Sequence, residues 1–512
     1  MTAGGWRTPL FGVLSGLLFA LAFPPLEQTA LLPLALVPFL SALVAEKSRL
    51  RALVSGTLFG LAYWCASVPW IVYVVTHYGG QGPAMGVVCL VLLSLILAEW
   101  PAFVAWTTVA AAPPGSAWRM AAFPVLWMAA EHARTVVYKG FPWNLTAHAL
   151  YRHPLWLQTA SIWGAYGVGA AVAAVSALLA HAVARRRWRP AILAALLAAS
   201  VGTFGAARLA IPRPERAEVS VALLQPNLTE ESRATREGAV AGYRAVLAEA
   251  REAARDLPAL IVIPESAFPV YWQESLELRQ DLASVARWGA RVLFNDVEEE
   301  EDGRYFNAAR LLGPDGLAHP SYRKIHLVPF GEYVPLPKLF FFVRQISTEI
   351  GAFTPAPGPE LLRSGAFAIG TAICYEAIYP SLAREETAAG ANLLATVSND
   401  SWYGRAGAQE QHFAGAVLRT VENGRWLVRA AITGISGIVD GRGRIRAETR
   451  PNERALVRGA VRLEDESTAW TRWGFRLAGI ADVLAAAVLL FAFARWIRES
   501  RLPASGSGLP NS

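Results

Sequence analysis

The sequence predicts two kinds of structure in one chain: a polytopic bundle of eight membrane helices, and an α/β domain inserted before the last helix. Three observations support this. Hydrophobic residues make up 54% of the 512 residues and charged residues only 17%, whereas soluble domains carry about 25% charged residues. Long apolar runs fill 8–211 and 475–497. Between these runs, residues 216–466 have the mixed composition of a soluble domain.

The apolar runs predict the membrane helices, because a bilayer core takes about 20 apolar residues to cross. The candidate spans are 8–24, 28–45, 52–76, 84–111, 117–133, 159–184, 189–211 and 475–497. We therefore predict a membrane bundle at 1–215, an α/β domain at 216–466, and a final membrane helix with a short tail at 467–512.

The basic residues predict the orientation, because cytoplasmic loops of membrane proteins are rich in Lys and Arg. The basic residues that follow every second predicted helix are Lys47, Arg49, Arg51, Arg119, Arg185, Arg186, Arg187, Arg189, Arg495, Arg498 and Arg501. The loops at 25–28 and 77–82 contain no Lys or Arg. Both termini are then cytoplasmic and the α/β domain lies on the outer face. Because the net charge of +7 concentrates at membrane edges, a nucleic-acid partner is not expected.

In the α/β domain, short apolar runs alternate with helical patterns, which is typical of helices packed on sheets. The predicted strands are 219–224, 260–263, 292–294, 367–373 and 393–397, and the predicted helices are 238–255, 274–287, 379–389 and 409–424. Polar residues stand within two residues of the ends of three of these strands, at Glu265, Cys374 and Asn399. Ligand sites in such domains lie beyond the carboxyl ends of strands. The sequence therefore predicts a site at that edge.

Cys374 is the only thiol of the α/β domain, so it has no partner there for a disulfide, and the Cys and His spacing indicates no zinc site. A nucleophilic cysteine needs a base and a group that stabilises the oxyanion. Glu265 is a candidate base, Lys324 a candidate for thiolate and oxyanion stabilisation, and the N–H of Tyr375 a second oxyanion donor. His326 is a rival base. We place it second, because it stands two residues from Lys324 and its side chain is expected to face elsewhere.

These residues resemble the Glu-Lys-Cys triad of the nitrilase superfamily. Glu265 lies in Pro-Glu-Ser, Lys324 in Tyr-Arg-Lys-Ile-His and Cys374 in Ile-Cys-Tyr-Glu. The string His-Leu-Val-Pro-Phe-Gly-Glu-Tyr-Val-Pro at 326–335 and Asn-Asp-Ser-Trp-Tyr-Gly at 399–404 are narrower signals. With the eight-helix frame, they are similar to the apolipoprotein N-acyltransferase family of bacterial envelopes, over about 8–497.

The resemblance implies a nitrilase α-β-β-α sandwich on the membrane bundle. Glu265 would be the general base, Cys374 the nucleophile and Lys324 the stabilising cation. Glu332 matches a second family glutamate beside the site. Tyr375 and Glu376 match the residues that follow the family's nucleophile.

The resemblance also implies a ping-pong reaction without cofactor or metal. A phospholipid would acylate Cys374 as a thioester, and the α-amino group of an S-diacylglyceryl cysteine on an apolipoprotein would take the chain as an amide. The expected protein is a monomer in the bacterial inner membrane, with a periplasmic catalytic domain.

Two departures and two rival functions stay open. The family's Lys-Trp pair is absent from 229–234, and Ile432 stands where an Asn is common.

The two rival functions are a hydrolase and a non-catalytic protein. A membrane-anchored nitrilase-type amidase would give the acyl group to water. A non-catalytic lipid-binding or transport protein would need ionisable residues in the spans, of which Glu99 and Asp482 are the few present.

Two segments have a structural and a functional interpretation. The segment 139–144 is either an interfacial aromatic belt or a floor under the α/β domain. The apolar segment 340–357 is either a mobile lid or a membrane-contacting loop.

Overall fold

A computed structural model describes residues 6–137, 140–212, 216–334 and 353–500. Most of the predicted lid, 340–352, lies outside the described residues, as do Lys139 and the tail 501–512.

The described helices begin and end close to the predicted apolar runs and helical patterns. They are α1 (Arg7–Leu21), α2 (Val37–Ala45), α3 (Arg49–Ser67), α4 (Trp70–His77), α5 (Pro83–Ala111), α6 (Ala117–Val136), α7 (Ala160–Arg185), α8 (Arg189–Ala210), α9 (Arg236–Ala254), α10 (Leu276–Ala286), α11 (Pro380–Ala388), α12 (Ala408–Asn423) and α13 (Ala469–Ser500). Short turns are Thr29–Leu31, Leu32–Ala35, Thr146–Leu150, Pro154–Leu157, Glu230–Arg233, Cys374–Ile378 and Ser401–Tyr403.

Within the described residues, four helices are long and apolar enough to cross a membrane, namely α5, α7, α8 and the 476–499 part of α13. The pair α3 and α4 adds a fifth span if its 60° bend is counted within one crossing. Pro69 lies at this bend, and proline cannot donate the backbone hydrogen bond that would continue α3. The helices α1 and Thr29–Ala45 are shorter. The prediction of a polytopic helical bundle is thus supported, and the number of eight spans stays a prediction.

The helices of the bundle approach one another through small residues, which allow close backbone contact. A Cβ atom on Gly60 of α3 would lie only 2.6 Å from Ala98 Cα of α5. A Cβ on Gly12 of α1 would collide with the Ser55 carbonyl of α3. These glycines let α1 and α5 both pack closely against α3.

The strands of the α/β domain form two six-stranded sheets. They are β1 (Glu218–Gln225), β2 (Leu260–Val262), β3 (Arg291–Glu299), β4 (Tyr305–Leu312), β5 (Tyr322–Arg323), β6 (Leu362–Ser364), β7 (Phe367–Ile373), β8 (Leu393–Ser398), β9 (Leu427–Ala431), β10 (Gly437–Val439), β11 (Ile445–Glu448) and β12 (Ala455–Arg462). The orders are β12-β1-β2-β3-β4-β5 and β11-β10-β9-β8-β7-β6. In each sheet three parallel strands, β1 to β3 and β7 to β9, are flanked by antiparallel ones.

The two sheets pack face to face. Their parallel strands carry apolar side chains on both faces, one set toward the other sheet and one set toward the covering helices. On β1, Val221 and Leu223 lie between the sheets, whereas Ala222 and Leu224 pack against α9 and α10. This alternation follows from the two-residue repeat of a strand. The outer face of the second sheet is covered by α11 and α12. The predicted α-β-β-α sandwich is therefore the observed architecture of this domain.

Helix α12 also connects the sandwich to the bundle. Its buried residues Phe413 and Val417 share one apolar cluster with Tyr166 of α7 and Trp470 of α13. The sheet edge that carries the polar residues thus lies next to the membrane part of the chain.

Candidate active site

Cys374 follows the last residue of β7 and begins the turn Cys374–Ile378. Its φ angle is +52°, a left-handed conformation that residues other than glycine rarely adopt. Its carbonyl oxygen lies 2.8 Å from Nε2 of His412, and its thiol lies 3.8 Å from the carbonyl oxygen of Asn399. The side chain is only 5% exposed. These contacts hold the sulfur at the carboxyl end of the parallel strands.

Glu265 lies at the same edge, two residues after Ile263 at the end of β2. Its Oε2 accepts the backbone N–H of Asn399 at 2.7 Å, and its Oε1 accepts from Nδ2 of Asn307 at 3.0 Å. Asn399 follows β8 and also contacts the Cys374 thiol. The structure therefore brings the carboxylate and the thiol to opposite sides of one residue.

Lys324 completes the group, directly after β5. Its Nζ lies 2.9 Å from Oε1 of Glu332 and 3.9 Å from Oε1 of Glu265. Asn307 joins the two carboxylates, because its Nδ2 donates to Glu332 at 2.9 Å as well as to Glu265. Only the Glu332 contact is a hydrogen bond, and the 3.9 Å contact with Glu265 is an ion pair. Because an ammonium group has three N–H donors, Lys324 keeps donor capacity for a substrate oxygen.

The electrostatics of the site define the protonation states. Burial raises the pKa of the Cys374 thiol well above its usual range, and the Glu265 carboxylate raises it further, while Lys324 opposes both. Burial also raises the pKa of Glu265, against the opposing effect of Lys324. Burial lowers the pKa of Lys324, but Glu332 and Glu265 outweigh it and the pKa is raised. At neutral pH the site thus holds a thiol next to an ammonium group.

Glu376 fixes the position of Lys324 relative to Cys374. Its carboxylate accepts the backbone N–H groups of Ile325 at 2.7 Å, His326 at 2.9 Å and Ile373 at 2.9 Å. The Tyr322 hydroxyl donates a fourth bond at 2.9 Å. Burial raises the pKa of Glu376 to about 7, against these donors and Lys324. One side chain therefore ties the strand before the lysine to the strand before the nucleophile.

Tyr375 packs against the membrane part of the chain. Its ring is 5% exposed and stacks on Trp143 with centroids 6.4 Å apart. Trp143 is 1% exposed, and its Nε1 donates to Gln411 of α12 at 2.6 Å. Between the two interpretations of 139–144, this burial favours a floor under the sandwich domain.

His326, the rival base, stacks its ring on Tyr379 with centroids 3.9 Å apart. Its backbone N–H is the group bound to Glu376. Glu265 accepts the backbone N–H of Asn399, whose carbonyl oxygen contacts the thiol, which is consistent with Glu265 as the base.

Sequence reasoning missed two contributors to the site. Asn307 lies on β4, a strand that the pattern did not predict, although a lone Asn amid Phe306, Ala308 and Ala309 was a usable signal. His412 lies on the predicted helix α12, but its contact with the Cys374 carbonyl depends on how that helix packs.

A buried ion network holds His412. Its Nδ1 lies 2.9 Å from Asp400 Oδ1, and Arg429 donates to the other Asp400 oxygen at 2.7 Å. Burial raises the pKa of Asp400, but Arg429 and His412 outweigh it and the pKa is lowered. This network holds the His412 ring in place against the backbone carbonyl oxygen of Cys374.

The two departures from the family pattern differ in their surroundings. Ile432 is fully buried, and its backbone bonds to Ser398 and Asn227 at 3.0 and 2.8 Å. The segment 229–234 forms the short helix Glu230–Arg233, where Glu230 accepts from Asn399 Nδ2 at 3.0 Å. The segment 229–234 therefore lies beside Asn399, which also contacts Glu265 and Cys374. Among the described residues, no group of three or more His, Cys, Asp or Glu side chains is placed to hold a metal ion.

The two facing sheets, their flanking helices and the Glu, Lys and Cys at one edge define a carbon-nitrogen hydrolase fold of the nitrilase type. The sequence model described as carbon-nitrogen hydrolase matches residues 220–469. The model described as apolipoprotein N-acyltransferase N-terminal domain matches residues 15–178. An amidase of the nitrilase superfamily from Nesterenkonia is a solved structure with 20% identity and a TM-score of 0.37, covering 49% of this chain and 93% of that chain.

Full-length relatives identify the family. The apolipoprotein N-acyltransferase of Geobacter metallireducens is 35% identical over 508 residues, which is 96% of each chain. That of Vibrio cholerae is 30% identical over 486 residues, covering 91% of this chain and 93% of its own. The chain belongs to the apolipoprotein N-acyltransferase family. This confirms the predicted resemblance and the predicted class of enzyme, an acyltransferase.

Proposed function

We propose that the protein moves an acyl chain from a phospholipid, through a thioester on Cys374, to the α-amino group of the S-diacylglyceryl cysteine of apolipoproteins. The observation that carries this proposal is the position of Glu265, which lies 3.9 Å from Lys324 and accepts the N–H of Asn399, whose carbonyl oxygen contacts the Cys374 thiol. The relatives of this chain are named apolipoprotein N-acyltransferase over nearly its full length.

In the first half-reaction, the Cys374 sulfur attacks the ester carbonyl of the phospholipid. Glu265 accepts the thiol proton as the carbon–sulfur bond forms, since the raised pKa of the thiol disfavours a free thiolate. The oxyanion binds the remaining Lys324 N–H and the backbone N–H of Tyr375. As the intermediate collapses, Glu265 returns the proton to the leaving alkoxide, and a lysophospholipid departs.

In the second half-reaction, the acceptor amine attacks the thioester carbon. A carbon–nitrogen bond forms, the carbon–sulfur bond breaks, and the amine's proton passes through Glu265 to the sulfur. The products are an amide and the free thiol. Glu332 holds Lys324 in place throughout, and Glu376 keeps the lysine and the nucleophile in register.

We further propose that the eight apolar runs all cross or enter the membrane, that the domains are bounded at 1–215, 216–466 and 467–512, and that the protein acts as a monomer in the bacterial inner membrane. The catalytic domain faces the periplasm in this arrangement. The alternation of basic loops supports the orientation. Asp482 of α13 is paired with His132 of α6 at 2.7 Å, which gives it a structural partner and weakens the transport interpretation.

Labelling of single cysteines tests the orientation. Glu301 and Arg187 are exposed on the sandwich and on the predicted cytoplasmic loop. In a background without the three native cysteines, a membrane-impermeant maleimide added to spheroplasts should label Glu301→Cys and spare Arg187→Cys until the membrane is opened. The reverse pattern would contradict the proposed topology.

Transfer to a lipidated peptide tests the function. The purified enzyme is incubated with phospholipid vesicles and a synthetic S-diacylglyceryl peptide, and the products are followed by mass spectrometry. We expect a peptide heavier by one acyl chain, with the new bond stable to hydroxylamine. Free fatty acid without acylated peptide would instead establish the membrane-anchored hydrolase.

A further inference from the structure

The short helix Glu230–Arg233 contacts the active site through the Glu230 carboxylate and through Arg233, which donates to the carbonyl oxygen of Ser266 next to Glu265. Oε1 of Glu230 accepts from Asn399 Nδ2 at 3.0 Å, from Ser401 Oγ at 3.1 Å and from Arg233 Nη2 at 2.6 Å. Among the described residues, no donor contacts the other oxygen, Oε2. The carboxylate therefore has one oxygen fixed by the site and one directed to a further partner.

Asn399 links this carboxylate to the reacting groups. Its backbone N–H donates to Glu265 at 2.7 Å, and its carbonyl oxygen lies 3.8 Å from the Cys374 sulfur. The Glu230 side chain is 32% exposed, whereas that of Glu265 is 8% exposed. Glu230 thus lies on the solvent-exposed side of the site, and Asn399 links it to both Glu265 and Cys374.

The same corner lies against the membrane part of the chain. Tyr78, the residue after α4, donates its hydroxyl to the Ser401 carbonyl at 3.1 Å and packs its ring on Trp402 with centroids 4.5 Å apart. A substrate anchored in the bilayer by its lipid chains reaches the thioester with its polar end at this boundary. Glu230 is the partly exposed carboxylate at this corner that is hydrogen-bonded to Asn399.

We infer that Glu230 binds the α-ammonium group of the acceptor and positions it for attack on the Cys374 thioester. This inference rests on the proposed function, because only the second half-reaction uses an amine. Oε2 accepts an N–H of the ammonium group while Asn399 holds Oε1. A carboxylate and an ammonium group form a charge-assisted hydrogen bond. Before attack the ammonium group loses one proton to solvent water, which leaves a neutral amine with a free lone pair hydrogen-bonded to Oε2. The second departing proton passes through Glu265 to the sulfur as the carbon–nitrogen bond forms and the carbon–sulfur bond breaks, so Glu230 itself takes no proton.

The two half-reactions separate this role from a structural one. Glu230→Gln removes the charge and keeps an oxygen for Asn399. The adjacent and exposed Glu231 provides a control with the same change of charge, Glu231→Gln. Thioester formation is measured by intact mass after mixing with phospholipid vesicles. The thioester is then discharged either with the S-diacylglyceryl peptide or with hydroxylamine, which is uncharged at neutral pH.

We expect Glu230→Gln to form the thioester and react with hydroxylamine as the wild type does, and to discharge to subsaturating peptide about tenfold more slowly, the size of a lost hydrogen bond to a charged group. Glu231→Gln should match the wild type in every step. Equal discharge to the peptide by wild type and Glu230→Gln would overturn the inference. So would a loss shared by hydroxylamine or by Glu231→Gln. A wild type that forms no thioester would contradict the proposed function itself, and this inference with it.

Discussion

At the scale of single residues, the chemistry depends on where one proton resides. Cys374 and Glu265 both have pKa values raised by burial, so in the proposed mechanism the thiol keeps its proton until the carboxylate takes it during attack. Lys324 supplies a fixed positive charge between two carboxylates. This arrangement replaces the histidine of many cysteine enzymes by a desolvated glutamate.

The first prediction is a pH dependence of thioester formation. Glu265 acts as a base only when ionised, so the rate falls as the pH drops through its pKa. Since that pKa is raised, the midpoint should lie above the ordinary glutamate value of about 4.3. Single-turnover acylation between acidic and neutral pH measures it. Glu265→Gln should lower the rate at every pH and flatten the acid limb; a limb that persists in this variant would assign the base elsewhere.

At the scale of elements, the site is assembled from the ends of strands in both sheets. Glu265 follows β2, and Cys374 and Asn399 follow β7 and β8. The turn after β7 is held by Glu376 from within and by His412 from α12. The geometry of the nucleophile is therefore a property of the packed sandwich.

The second prediction concerns the carboxylate that joins β5 to β7. Glu376→Gln keeps one acceptor oxygen and places an NH2 group at the other, so one pair of buried donors loses its acceptor. This pair is either the N–H groups of Ile325 and His326 or the Ile373 N–H and the Tyr322 hydroxyl. Each loss costs about 1–3 kcal/mol. We expect a lower free energy of unfolding in detergent, and a fall in kcat for acyl transfer without a matching rise in KM.

Glu386 provides the matched control for this variant. It is equally buried at 1% exposed, and its Oε1 accepts the Thr371 N–H at 2.7 Å. Burial and nearby Glu376 raise the pKa of Glu386 well above its usual range, so Glu386→Gln replaces a neutral acid by a neutral amide. It should keep nearly full activity. Equal losses in both variants would show that Glu376 has no special link to the site.

The sequence predicted the parts of this site where a polar residue stands within two residues of the end of a predicted apolar strand. Glu265 and Cys374 stand at such positions, and only the family resemblance assigned Glu332. Asn307 escaped prediction because β4 mixes polar and apolar residues and is defined by its antiparallel pairing with β3. Such pairing joins residues distant in sequence, so a local pattern does not reveal it. The bend between α3 and α4 escaped for a similar reason, since one apolar run covers both helices.

At the scale of the whole molecule, Gln411 joins the sandwich to the bundle. Its Oε1 accepts the indole N–H groups of Trp143 at 2.6 Å and Trp70 at 3.2 Å. Its Nε2 donates to the carbonyls of Ser67 at 2.7 Å and Pro24 at 2.9 Å. Gln411 thereby provides a hydrogen-bond donor for the carbonyl of Ser67, the last residue of α3. It also holds Trp143, the residue on which the Tyr375 ring stacks.

The third prediction follows from this contact. Gln411→Leu leaves buried donors and acceptors of the bundle without partners, and each costs about 1–3 kcal/mol. We expect a clear loss of thermal stability in detergent together with reduced acyl transfer, because the floor under the nucleophile shifts. Glu410→Gln, one position earlier on α12, should leave stability close to that of the wild type. An unchanged melting temperature for Gln411→Leu would contradict the proposed role of Gln411 in connecting the sandwich to the bundle.

The whole proposed mechanism depends on Cys374 carrying the acyl chain. Intact mass of the purified protein after incubation with phospholipid, for the wild type and for Cys374→Ala, tests it most directly. We expect the mass of the wild type to increase by one acyl chain. Hydroxylamine should remove this increase, and Cys374→Ala should lack it. A folded wild type without this adduct, in the presence of accessible lipid, or an adduct retained by Cys374→Ala, would contradict it.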